Sequence, residues 1–542
     1  MSQSMTRRSF VKAAAVAGAL TAVSAAPERA FEKKSKAWAS EPTERKMFVS
    51  TCHGCIQACP CRVYTEDGVV TKIEGHPMAP VSQGSLCLKG LNQIHTLYSP
   101  RRVLYPLKRT GARGAENAAW ERVSWDEALD LAGTKIAEAI EKYGTYAFFT
   151  STGGGGNFAG PQAATMNLAL GSPNVFEPGC AQCYLPRWTV ANLMYGGADQ
   201  SMADSSVLEP FKGLSPYEEE KGVKNDTEML VLWGTQPTIS QTAQSGRGMA
   251  ELRARGCKTV VIDPNMSPDA VKATVWLRVR PGTDTALVLS WYRYLIENKL
   301  YDEQFSQFFT NLPFVINPTT NLPYKATDVF PDFKQTTPED TPAYVCYDRK
   351  TSSLQPLEFG AIEDLAAKID PELFWEGDVN GVQAFTAGQL YKKTAEPFTL
   401  ERTEQLTWVP AKQNEEAILL YAQANVAGIV HGVASDMQQV SSQMPLGLLG
   451  LDMMMGYVNK PGSTLTQNGG GAFDPPAGAP IERPTMFVNN FFGWMGRAMG
   501  IGYVIGMTDE QNQARIAALP KMPAGVPDFP GSQGTLYMLN QM

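Results

Sequence analysis

Residues 52–90 read CHGCIQACPCRVYTEDGVVTKIEGHPMAPVSQGSLCLKG, and the cysteines of this stretch decide the fold of the amino-terminal part of the chain. Cys52, Cys55 and Cys59 are spaced C-x2-C-x3-C, and Cys87 follows after a gap of 27 residues. Four converging thiolates hold either a zinc ion or an iron–sulfur cluster. A structural zinc site pairs C-x2-C with a second short pair, whereas here the fourth cysteine returns alone from a distant loop. The spacing therefore favours a [4Fe–4S] cluster, whose corners need ligands from different directions.

A fifth cysteine lies inside the same stretch. Cys61 follows Pro60, and we interpret it as a buried small side chain, with the option that it substitutes for Cys59 as a ligand. A disulfide network is the alternative for the whole set, since an exported protein permits one. The chain has nine cysteines, most of them clustered, which fits cofactor ligands better than a disulfide scaffold.

The chain begins with two arginines and an apolar leader. Residues 6–12 read TRRSFVK, and an apolar run rich in small residues follows at 13–26. This pattern is typical of a twin-arginine signal peptide, which we place at residues 1–30 with cleavage within 25–30. The run is too short to remain as a membrane helix. We therefore expect export of the folded protein by the twin-arginine translocase, to the periplasm or the outer face of the cytoplasmic membrane.

Length and charge narrow the class of protein. A chain of 542 residues is long enough for three or more domains, and a hydrophobic content of 43% is that of a globular protein. The formal net charge of −7 argues against nucleic-acid binding. No stretch after the leader is long and apolar enough for a membrane helix, so we expect any link to a membrane to come through a partner.

A strand–helix–strand pattern occupies the middle of the chain. Residues 229–233 and 259–262 are predicted apolar strands, and a helix is predicted between them at 244–255. Such a unit implies a parallel sheet that binds ligands at the carboxyl ends of its strands. Asp263 directly follows the second strand, where an acidic residue either binds a ribose diol or caps the strand end. The fold class is therefore α/β.

Two features precede this unit. Ser124 is the predicted N-cap of a helix that carries Leu129 and Ile136 on one face. A short strand is predicted at 146–150, and it runs into four glycines at 153–156. A loop of this kind either approaches a phosphate with its backbone N–H groups or is a flexible surface turn.

Three further motifs point to a family. They are CLKG at 87–90, RVLYPLKR at 102–109 and WERVSWDEAL at 120–129. With the cysteine cluster they resemble the molybdopterin oxidoreductases of the dimethyl sulfoxide reductase family, and the resemblance covers residues 52–462. It implies a molybdenum or tungsten ion held by two molybdopterin guanine dinucleotides, besides the [4Fe–4S] cluster. It also implies an oxidoreductase whose electrons pass one at a time through the cluster.

The resemblance implies a small amino-terminal iron–sulfur domain followed by two doubly wound α/β domains. We place the iron–sulfur domain at 45–105, one α/β domain at 106–175 and 400–542, and the dinucleotide-binding α/β domain at 176–399. Family members continue after a segment like NKPGS (459–463) into a carboxyl-terminal β-barrel that caps the pterins. We recognise no such barrel in 463–542, so we expect the cap to be missing and the discontinuous domain to be incomplete.

The resemblance places a protein ligand to the metal after the turn at 171–174. Family members supply a cysteine, selenocysteine, serine or aspartate there, and Cys183 fits the spacing better than Cys180. A thiolate is a good ligand for such a metal. The alternative is a disulfide or a redox pair between the two cysteines. Tyr184 and Arg187 are the nearest candidates to contact substrate, because a tyrosine relays a proton and an arginine orients an anionic or phenolic oxygen.

Cofactor contacts follow from the same resemblance. The lysine after the fourth cysteine lies between cluster and pterin in the family, and Lys89 matches it, although an ordinary surface lysine is the alternative. WGTQP, VIDPN and RPGTDTAL resemble segments that bind one guanine dinucleotide, with Asp284 as the guanine contact. Asn265 stands where the family more often has an arginine. The predicted cofactor-binding residues are Trp233, Gly234, Thr235, Asp263, Pro264, Asn265, Arg280, Gly282 and Asp284.

The region 431–438 resembles the part of the family that lines the active-site funnel. His431, Ser435, Asp436 and Gln438 are therefore candidates, against the alternative that the histidine is an ordinary structural residue. This region and the surroundings of Cys183 look most like the branch that contains acetylene hydratase and the catechol dehydroxylases.

The predicted function is the two-electron reduction of a small organic substrate, with reductive dehydroxylation of a catechol or phenol favoured. One alternative is a respiratory reductase of an inorganic anion such as thiosulfate, polysulfide or arsenate, and another is a truncated, non-catalytic remnant. The expected partners are an iron–sulfur electron-transfer subunit and a quinol-linked membrane anchor.

Overall fold

A computed structural model describes residues 44–55, 59–79, 82–151, 170, 172, 174–176, 190, 194, 227–337, 341–435, 437–439, 441–458 and 462–464. These residues form two compact units. The first contains the described residues up to Phe149 together with 170, 172 and 174, and the second contains the others. The predicted leader and the glycines at 153–156 lie outside the described residues.

The first unit is built on a three-stranded antiparallel sheet of order β1-β2-β3. Its elements are β1 (Arg45–Thr51), β2 (Pro60–Glu66), β3 (Val69–Gly75), α1 (Leu88–Leu91), α2 (Gln93–Leu97), β4 (Leu107–Arg109), β5 (Trp120–Arg122) and α3 (Trp125–Tyr143), with a 3-10 turn at Thr145–Ala147. Strands β4 and β5 form a separate antiparallel pair. The sheet and α1 carry the cysteine stretch 52–90, so one small unit presents all of it.

Helix α3 begins where the sequence predicts. The Ser124 hydroxyl accepts a hydrogen bond from the backbone N–H of Glu127 (3.1 Å), which satisfies one of the free donors of the first turn. Its apolar face, however, is not covered: Leu129 is 63% exposed, and no residue of α3 is buried. Periodicity shows which face of a helix is apolar but not what packs against it.

The second unit contains a four-stranded parallel sheet and a smaller antiparallel one. Its elements are β6 (Thr150–Ser151), β7 (Val175–Phe176), β8 (Met229–Trp233), α4 (Pro237–Ser240), a π-helical turn (Thr242–Gly246), α5 (Arg247–Ala254), β9 (Lys258–Ile262), α6 (Pro268–Val271), β10 (Val275–Leu277), α7 (Asp284–Glu297), α8 (Glu303–Phe309), β11 (Val315–Asn317), β12 (Leu322–Pro323), α9 (Ala326–Val329), β13 (Tyr344–Asp348), β14 (Ser353–Leu357), α10 (Ile362–Lys368), β15 (Glu376–Val379), β16 (Val382–Thr386), α11 (Ala387–Ala395), α12 (Leu400–Thr407), α13 (Ala411–Ala422), β17 (Ala427–His431), a 3-10 turn (Val433–Ser435) and α14 (Gln443–Met454). The antiparallel sheet has the order β12-β11-β16-β15, and β13 pairs with β14 in a hairpin.

The parallel sheet is covered on both faces, which is why its strands are apolar throughout. Every residue of β8 is buried. Met229, Val231 and Trp233 pack in one cluster with residues of α7, α13 and α14. Leu230 and Leu232 pack in a second cluster with residues of α5 and α6. Alternate side chains of a strand point to opposite faces, so this division confirms the predicted α/β class with helices on both sides of the sheet.

The strand order of this sheet is β10-β9-β8-β17, and all neighbours are parallel. The predicted strand–helix–strand unit corresponds to β8, α5 and β9, except that the π-helical turn replaces the start of the predicted helix. Residues 400–542 and 176–399 are predicted to belong to different domains. Here β17, at 427–431, pairs with β8, so the strand pairing does not follow that boundary.

The segment that follows α3 differs from its predicted structure. The strand predicted at 146–150 is a 3-10 turn at Thr145–Ala147 followed by the two-residue strand β6. Gly144, at φ +82°, ends α3 directly before it, so the chain turns where an extended run was expected.

None of the helices within the described ranges combines the length and hydropathy needed to cross a membrane.

A buried carboxyl ties α14 to this sheet. Asp452 is 1% exposed and accepts hydrogen bonds from the hydroxyls of Tyr421 (2.7 Å) and Thr464 (2.6 Å). It also accepts one from the backbone N–H of Ile429 in β17 (3.3 Å). Burial raises the pKa of this carboxyl from 3.8 to about 7.

We expect the stability of the second unit to fall as the pH rises from about 4 to about 7. In that window the folded chain keeps the Asp452 proton while the unfolded chain, with its ordinary pKa, releases it. A difference of about three pKa units corresponds to about 4 kcal/mol of unfolding free energy. Asp452→Asn should flatten this dependence, which urea unfolding at pH 5 and pH 7.5 measures. Equal pH dependence in both proteins would contradict the prediction.

Candidate functional site

The cysteine stretch folds so that its two ends meet. The backbone N–H of Cys52 donates to the carbonyl of Cys59 (2.9 Å), which closes the first loop. The backbone N–H of Gly54 donates to Cys52 Sγ (3.3 Å). Cys87 is the N-cap of α1, and a Cβ added to Gly90 in α1 would lie 3.1 Å from Cys52 Sγ. The helix that Cys87 caps therefore lies against Cys52.

Burial and hydrogen bonding of these sulfurs suit cluster ligands. Cys52 is 8% and Cys59 6% exposed, whereas Cys55 and Cys87 are partly exposed. None of the seven cysteines among the described residues forms a disulfide, so the structure does not support the disulfide alternative for this set. The sulfur of Cys52 accepts a backbone N–H and lies against glycine, and this environment is typical of an iron–sulfur ligand. Within the described ranges, no three Cys, His, Asp or Glu side chains lie close enough together for a single metal ion.

The side chains of Cys61 and Lys89 border this loop. Cys61 is 3% exposed, and burial, followed by the neighbouring Cys52 and Cys59, raises the pKa of its thiol. A neutral buried thiol agrees with its interpretation as a spare residue. A Cβ added to Gly54 would lie 3.3 Å from the Cβ of Lys89, so the lysine stands directly beside the first cysteine loop.

In the second unit, the carboxyl ends of β8 and β17 lie side by side, and we call this edge of the sheet the crevice. From β8 the chain continues through β9 to β10 on one side, and it later returns to place β17 on the other side. Such a reversal of strand order is where open α/β sheets bind ligands. Gly234 and Gly432 follow the two strands, and a Cβ added to Gly432 would lie 2.7 Å from the carbonyl oxygen of Gly234. The two glycines therefore allow the turns that follow β8 and β17 to pack closely against each other.

A buried carboxylate stands at the same edge. Asp284, the first residue of α7, is 7% exposed and accepts hydrogen bonds from Trp233 Nε1 (2.9 Å) and Gln438 Nε2 (3.2 Å). Burial raises its pKa, partly offset by these donors. Two buried oxygens nearby, Gln438 Oε1 and Thr285 Oγ1, make no hydrogen bond with described residues. Acceptor atoms grouped in this way fit the amino and imino groups of a guanine ring.

The other predicted dinucleotide contacts follow the ends of β9 and β10. Asp263 is 6% exposed, and its Oδ1 accepts the backbone N–H of Asn265 (2.7 Å). Its carbonyl accepts Trp276 Nε1 (2.8 Å), which fixes the turn after β9. Pro264 lies within that turn, between Asp263 and Asn265. Arg280 and Gly282 follow β10, and Thr235 follows Gly234 after β8. The structure thus brings all nine predicted residues to one edge of the parallel sheet.

The candidate residues in the region 431–438 have different surroundings. His431 is 1% exposed, and its Nδ1 lies 3.0 Å from the hydroxyl of Ser435, which itself donates to the carbonyl of Gly432 (2.9 Å). This pair stabilises the turn after β17, in agreement with a structural role. Gln438 instead reaches the crevice through Asp284. Asp436, together with Cys180, Cys183, Tyr184 and Arg187, lies outside the described residues.

Sequence reasoning missed Asp269. This residue is 0% exposed, and its carboxylate accepts the backbone N–H (3.1 Å) and hydroxyl (2.5 Å) of Thr238. Arg253 Nη2 also contacts it, at 3.2 Å. The network holds the segment after β8 against α5 and α6 and so shapes the crevice. The sequence signal at this position is the Ser267-Pro-Asp start of a short helix. It indicates a helix cap but not that the Asp269 carboxylate is buried.

Two cavities of the second unit lie away from this edge. One has a volume of about 300 Å³ and is lined mainly by apolar side chains, among them Tyr292, Phe374 and Tyr391. The other, of about 790 Å³, opens at the amino ends of β8 and β9, beside Arg255 and Lys258. Neither is lined by a residue predicted to bind a cofactor, so the crevice remains the candidate site.

Gly234→Ala should destabilise the protein more than Gly256→Ala. Both glycines have positive φ, +60° and +94°, so alanine is strained at either position. Only at Gly234 would the new Cβ also meet a neighbour, the Ala434 Cβ at 2.6 Å, whereas nothing lies within 4 Å at Gly256. We expect a loss of about 1 kcal/mol at Gly256 and about 2–4 kcal/mol at Gly234, measured by urea unfolding. Equal losses would show that the crevice backbone is not tightly packed.

Comparison with known proteins points to one family. The model of the molybdopterin oxidoreductase family matches residues 102–497, and the model of its Fe4S4 domain matches residues 45–99. The chain is 28% identical over 313 residues to a dopamine dehydroxylase of Eggerthella lenta, which covers 58% of this chain and 29% of that protein. It is 28% identical over 312 residues to the molybdopterin-containing subunit of thiosulfate reductase of Salmonella typhimurium, covering 57% and 37%.

A solved structure supports the fold. Acetylene hydratase from Pelobacter acetylenicus superposes with a TM-score of 0.50 at 21% identity, over 75% of this chain and 43% of that one. The chain spans about a third of the length of the curated relatives named above. The two matched domains imply a molybdenum bis-molybdopterin guanine dinucleotide and a [4Fe–4S] cluster. The match to the Fe4S4 domain spans the cysteine loop, and the match to the molybdopterin oxidoreductase family spans the crevice. The chain belongs to the molybdopterin oxidoreductase family.

Proposed function

We propose that this chain forms all or part of the catalytic subunit of an exported molybdenum or tungsten enzyme that reduces a small organic molecule. The favoured reaction is reductive dehydroxylation of a catechol or phenol. The observation that carries the cofactor assignment is the glycine-lined crevice with the buried carboxylate of Asp284 at its edge. The similarity to a dopamine dehydroxylase supports the substrate class.

The residues of the first unit supply the path for electrons. Cys52, Cys55, Cys59 and Cys87 would hold the [4Fe–4S] cluster, with the amide of Gly54 favouring a charged sulfur at Cys52. Lys89 stands beside this loop, and its positive charge would lower the cost of adding an electron nearby.

The residues of the second unit would hold the dinucleotide along the sheet edge. Asp284, with Gln438 behind it, would bind guanine, and Asp263 would bind a ribose. Cys183 would provide a thiolate to the metal. When bound, the cofactor supplies two-electron redox chemistry.

Dehydroxylation consumes two electrons and two protons, and it releases the aromatic hydroxyl as water. Within this balance, Tyr184 would donate a proton to the leaving oxygen, and Arg187 would hold that phenolic oxygen in place. The electrons would come from an iron–sulfur partner subunit linked to a membrane quinol pool, outside the cytoplasm, after export by the twin-arginine route.

A second function has a specific observation behind it. The similarity to a thiosulfate reductase subunit is equal in identity to that with the dehydroxylase. An arginine beside the metal would serve an inorganic anion as well as a phenolic oxygen. The alternative is therefore respiratory reduction of an anion such as thiosulfate, polysulfide or arsenate.

Metal analysis and a substrate panel test the proposal. The purified chain should contain molybdenum or tungsten as well as iron, and reduced viologen should be oxidised on addition of catechols with formation of the dehydroxylated product. Turnover with catechols should exceed that with thiosulfate, polysulfide or arsenate by at least about tenfold, which corresponds to 1.4 kcal/mol of transition-state discrimination.

Three outcomes decide between the alternatives. Dye oxidation with thiosulfate, polysulfide or arsenate alone would favour the respiratory reductase. A loaded chain that oxidises the dye with none of these compounds would favour a non-catalytic remnant. Stoichiometric zinc without molybdenum, tungsten or iron would overturn the cofactor assignment altogether.

A further inference from the structure

One residue of the second unit has a backbone conformation that its side chain disfavours. Seven non-glycine residues among those described have positive φ. Six are polar residues of the kind that turns accept: Asp67, Gln83, Lys299, Asn321, Ser352 and Asn380. The seventh is Trp408, at φ 64° and ψ 8°. A bulky side chain in the left-handed region is a genuine outlier, and such strain concentrates at functional positions.

Nothing in the local fold requires a tryptophan there. Trp408 is the C-cap of α12, and its backbone N–H donates to the carbonyl of Glu404 (2.9 Å). Glycine is the residue that usually ends a helix in this conformation, because it has no Cβ to strain. The indole is 66% exposed, so it adds little to the core. Neither capping nor packing therefore explains the side chain.

The position of Trp408 relates it to the crevice. The backbone N–H of Arg280 donates to the carbonyl of Thr407 (2.8 Å), which anchors the end of α12 beside the segment that follows β10. The guanidinium of Arg280 lies over the indole, 5.1 Å from the ring centroid. This contact orients the ring and leaves most of its surface accessible. The same segment continues through Thr283, which bonds to the Arg280 carbonyl (2.7 Å), to Asp284.

We propose that Trp408 is an additional contact of the guanine dinucleotide, with the indole stacked on the planar base and held by Arg280. This inference rests on the proposed function, since it places the dinucleotide at this sheet edge. Asp284 reads the polar edge of a guanine, while an exposed aromatic ring offers the flat surface that any base can stack on. The two residues therefore contact different parts of the same base.

The test measures how firmly the purified full-length chain keeps its dinucleotide. Trp408→Gly removes the ring and relieves the backbone strain, so its melting temperature should equal or exceed that of the wild type. Its guanine nucleotide, quantified as GMP after acid hydrolysis, should be lost on dialysis roughly tenfold faster, the size of one stacking contact. Trp408→Phe should retain the dinucleotide nearly as well as the wild type, because a ring remains.

A second readout does not depend on turnover. Once the chain's own dinucleotide has been dialysed away, added GDP should quench the tryptophan emission of the wild-type chain, and the quenched component should be missing in Trp408→Phe. The stacking role would be overturned if Trp408→Gly keeps its GMP as well as the wild type does. It would also be overturned if Trp408→Phe loses its GMP as fast as Trp408→Gly does. Unchanged GMP with altered association of the chain would assign Trp408 to a protein interface instead. A wild-type chain free of GMP and molybdenum would overturn the proposed function as well.

Discussion

Replacing Cys52 with serine is expected to abolish the iron–sulfur cluster. Cys52 is 8% exposed, and its sulfur accepts the Gly54 N–H at 3.3 Å and lies against Gly90. Iron–sulfur clusters of this type need thiolate at each corner. Iron and acid-labile sulfide should fall from about four each per chain to less than one, measured on the monodisperse fraction from gel filtration.

Cys257→Ser is the matched control for this experiment. Cys257 is also 8% exposed, and burial raises the pKa of its thiol to about 12, so it is a neutral side chain with no ligand role. This variant should keep its full iron content. Cys61→Ser should keep it too, and loss of iron there with retention in Cys59→Ser would exchange the roles of those two residues. A Cys52→Ser chain with four irons would remove the assignment of the cluster to this loop.

The parts of the fold that could be predicted are those in which the signal is local. The N-cap at Ser124 and the buried strands β8 and β9 each depend on a few adjacent residues, and the structure shows them. The nine predicted dinucleotide contacts also meet at one edge, because parallel strands carry their following residues to the same side of a sheet.

What could not be predicted depends on distant residues. The pairing of β17 with β8 joins residues about two hundred positions apart, and no local pattern in either strand names its partner. The same holds for the Asp269 carboxylate, whose partners Thr238 and Arg253 lie in other elements. Trp408 could not be predicted for another reason. Its significance depends on its positive φ, which no residue pattern reports.

Replacing Asp284 with asparagine is expected to cost the protein most of its bound dinucleotide. The carboxylate accepts Trp233 Nε1 on one oxygen and Gln438 Nε2 on the other, and each oxygen has a further acceptor position for a guanine. Asparagine replaces one of these oxygens with an NH2 group, which only donates. Loss of a hydrogen bond to a charged group amounts to about 1.5–3 kcal/mol, or roughly ten- to a hundredfold in affinity. The bound dinucleotide, measured as GMP released by acid per mole of chain, should fall accordingly, and the molybdenum content should fall with it.

Stability must be separated from binding, and Asp348→Asn provides the comparison. Asp348 is 1% exposed, lies in β13 of the same unit, and accepts the Thr351 hydroxyl (2.8 Å) and the Asp370 backbone N–H (2.8 Å). It belongs to a hairpin that carries none of the predicted cofactor contacts. Both variants leave buried donors poorly matched, so both should melt earlier than the wild type. Only Asp284→Asn should lose GMP and molybdenum, because only that carboxylate faces the crevice; equal loss in both variants would mean that general destabilisation, and not a lost guanine contact, releases the dinucleotide.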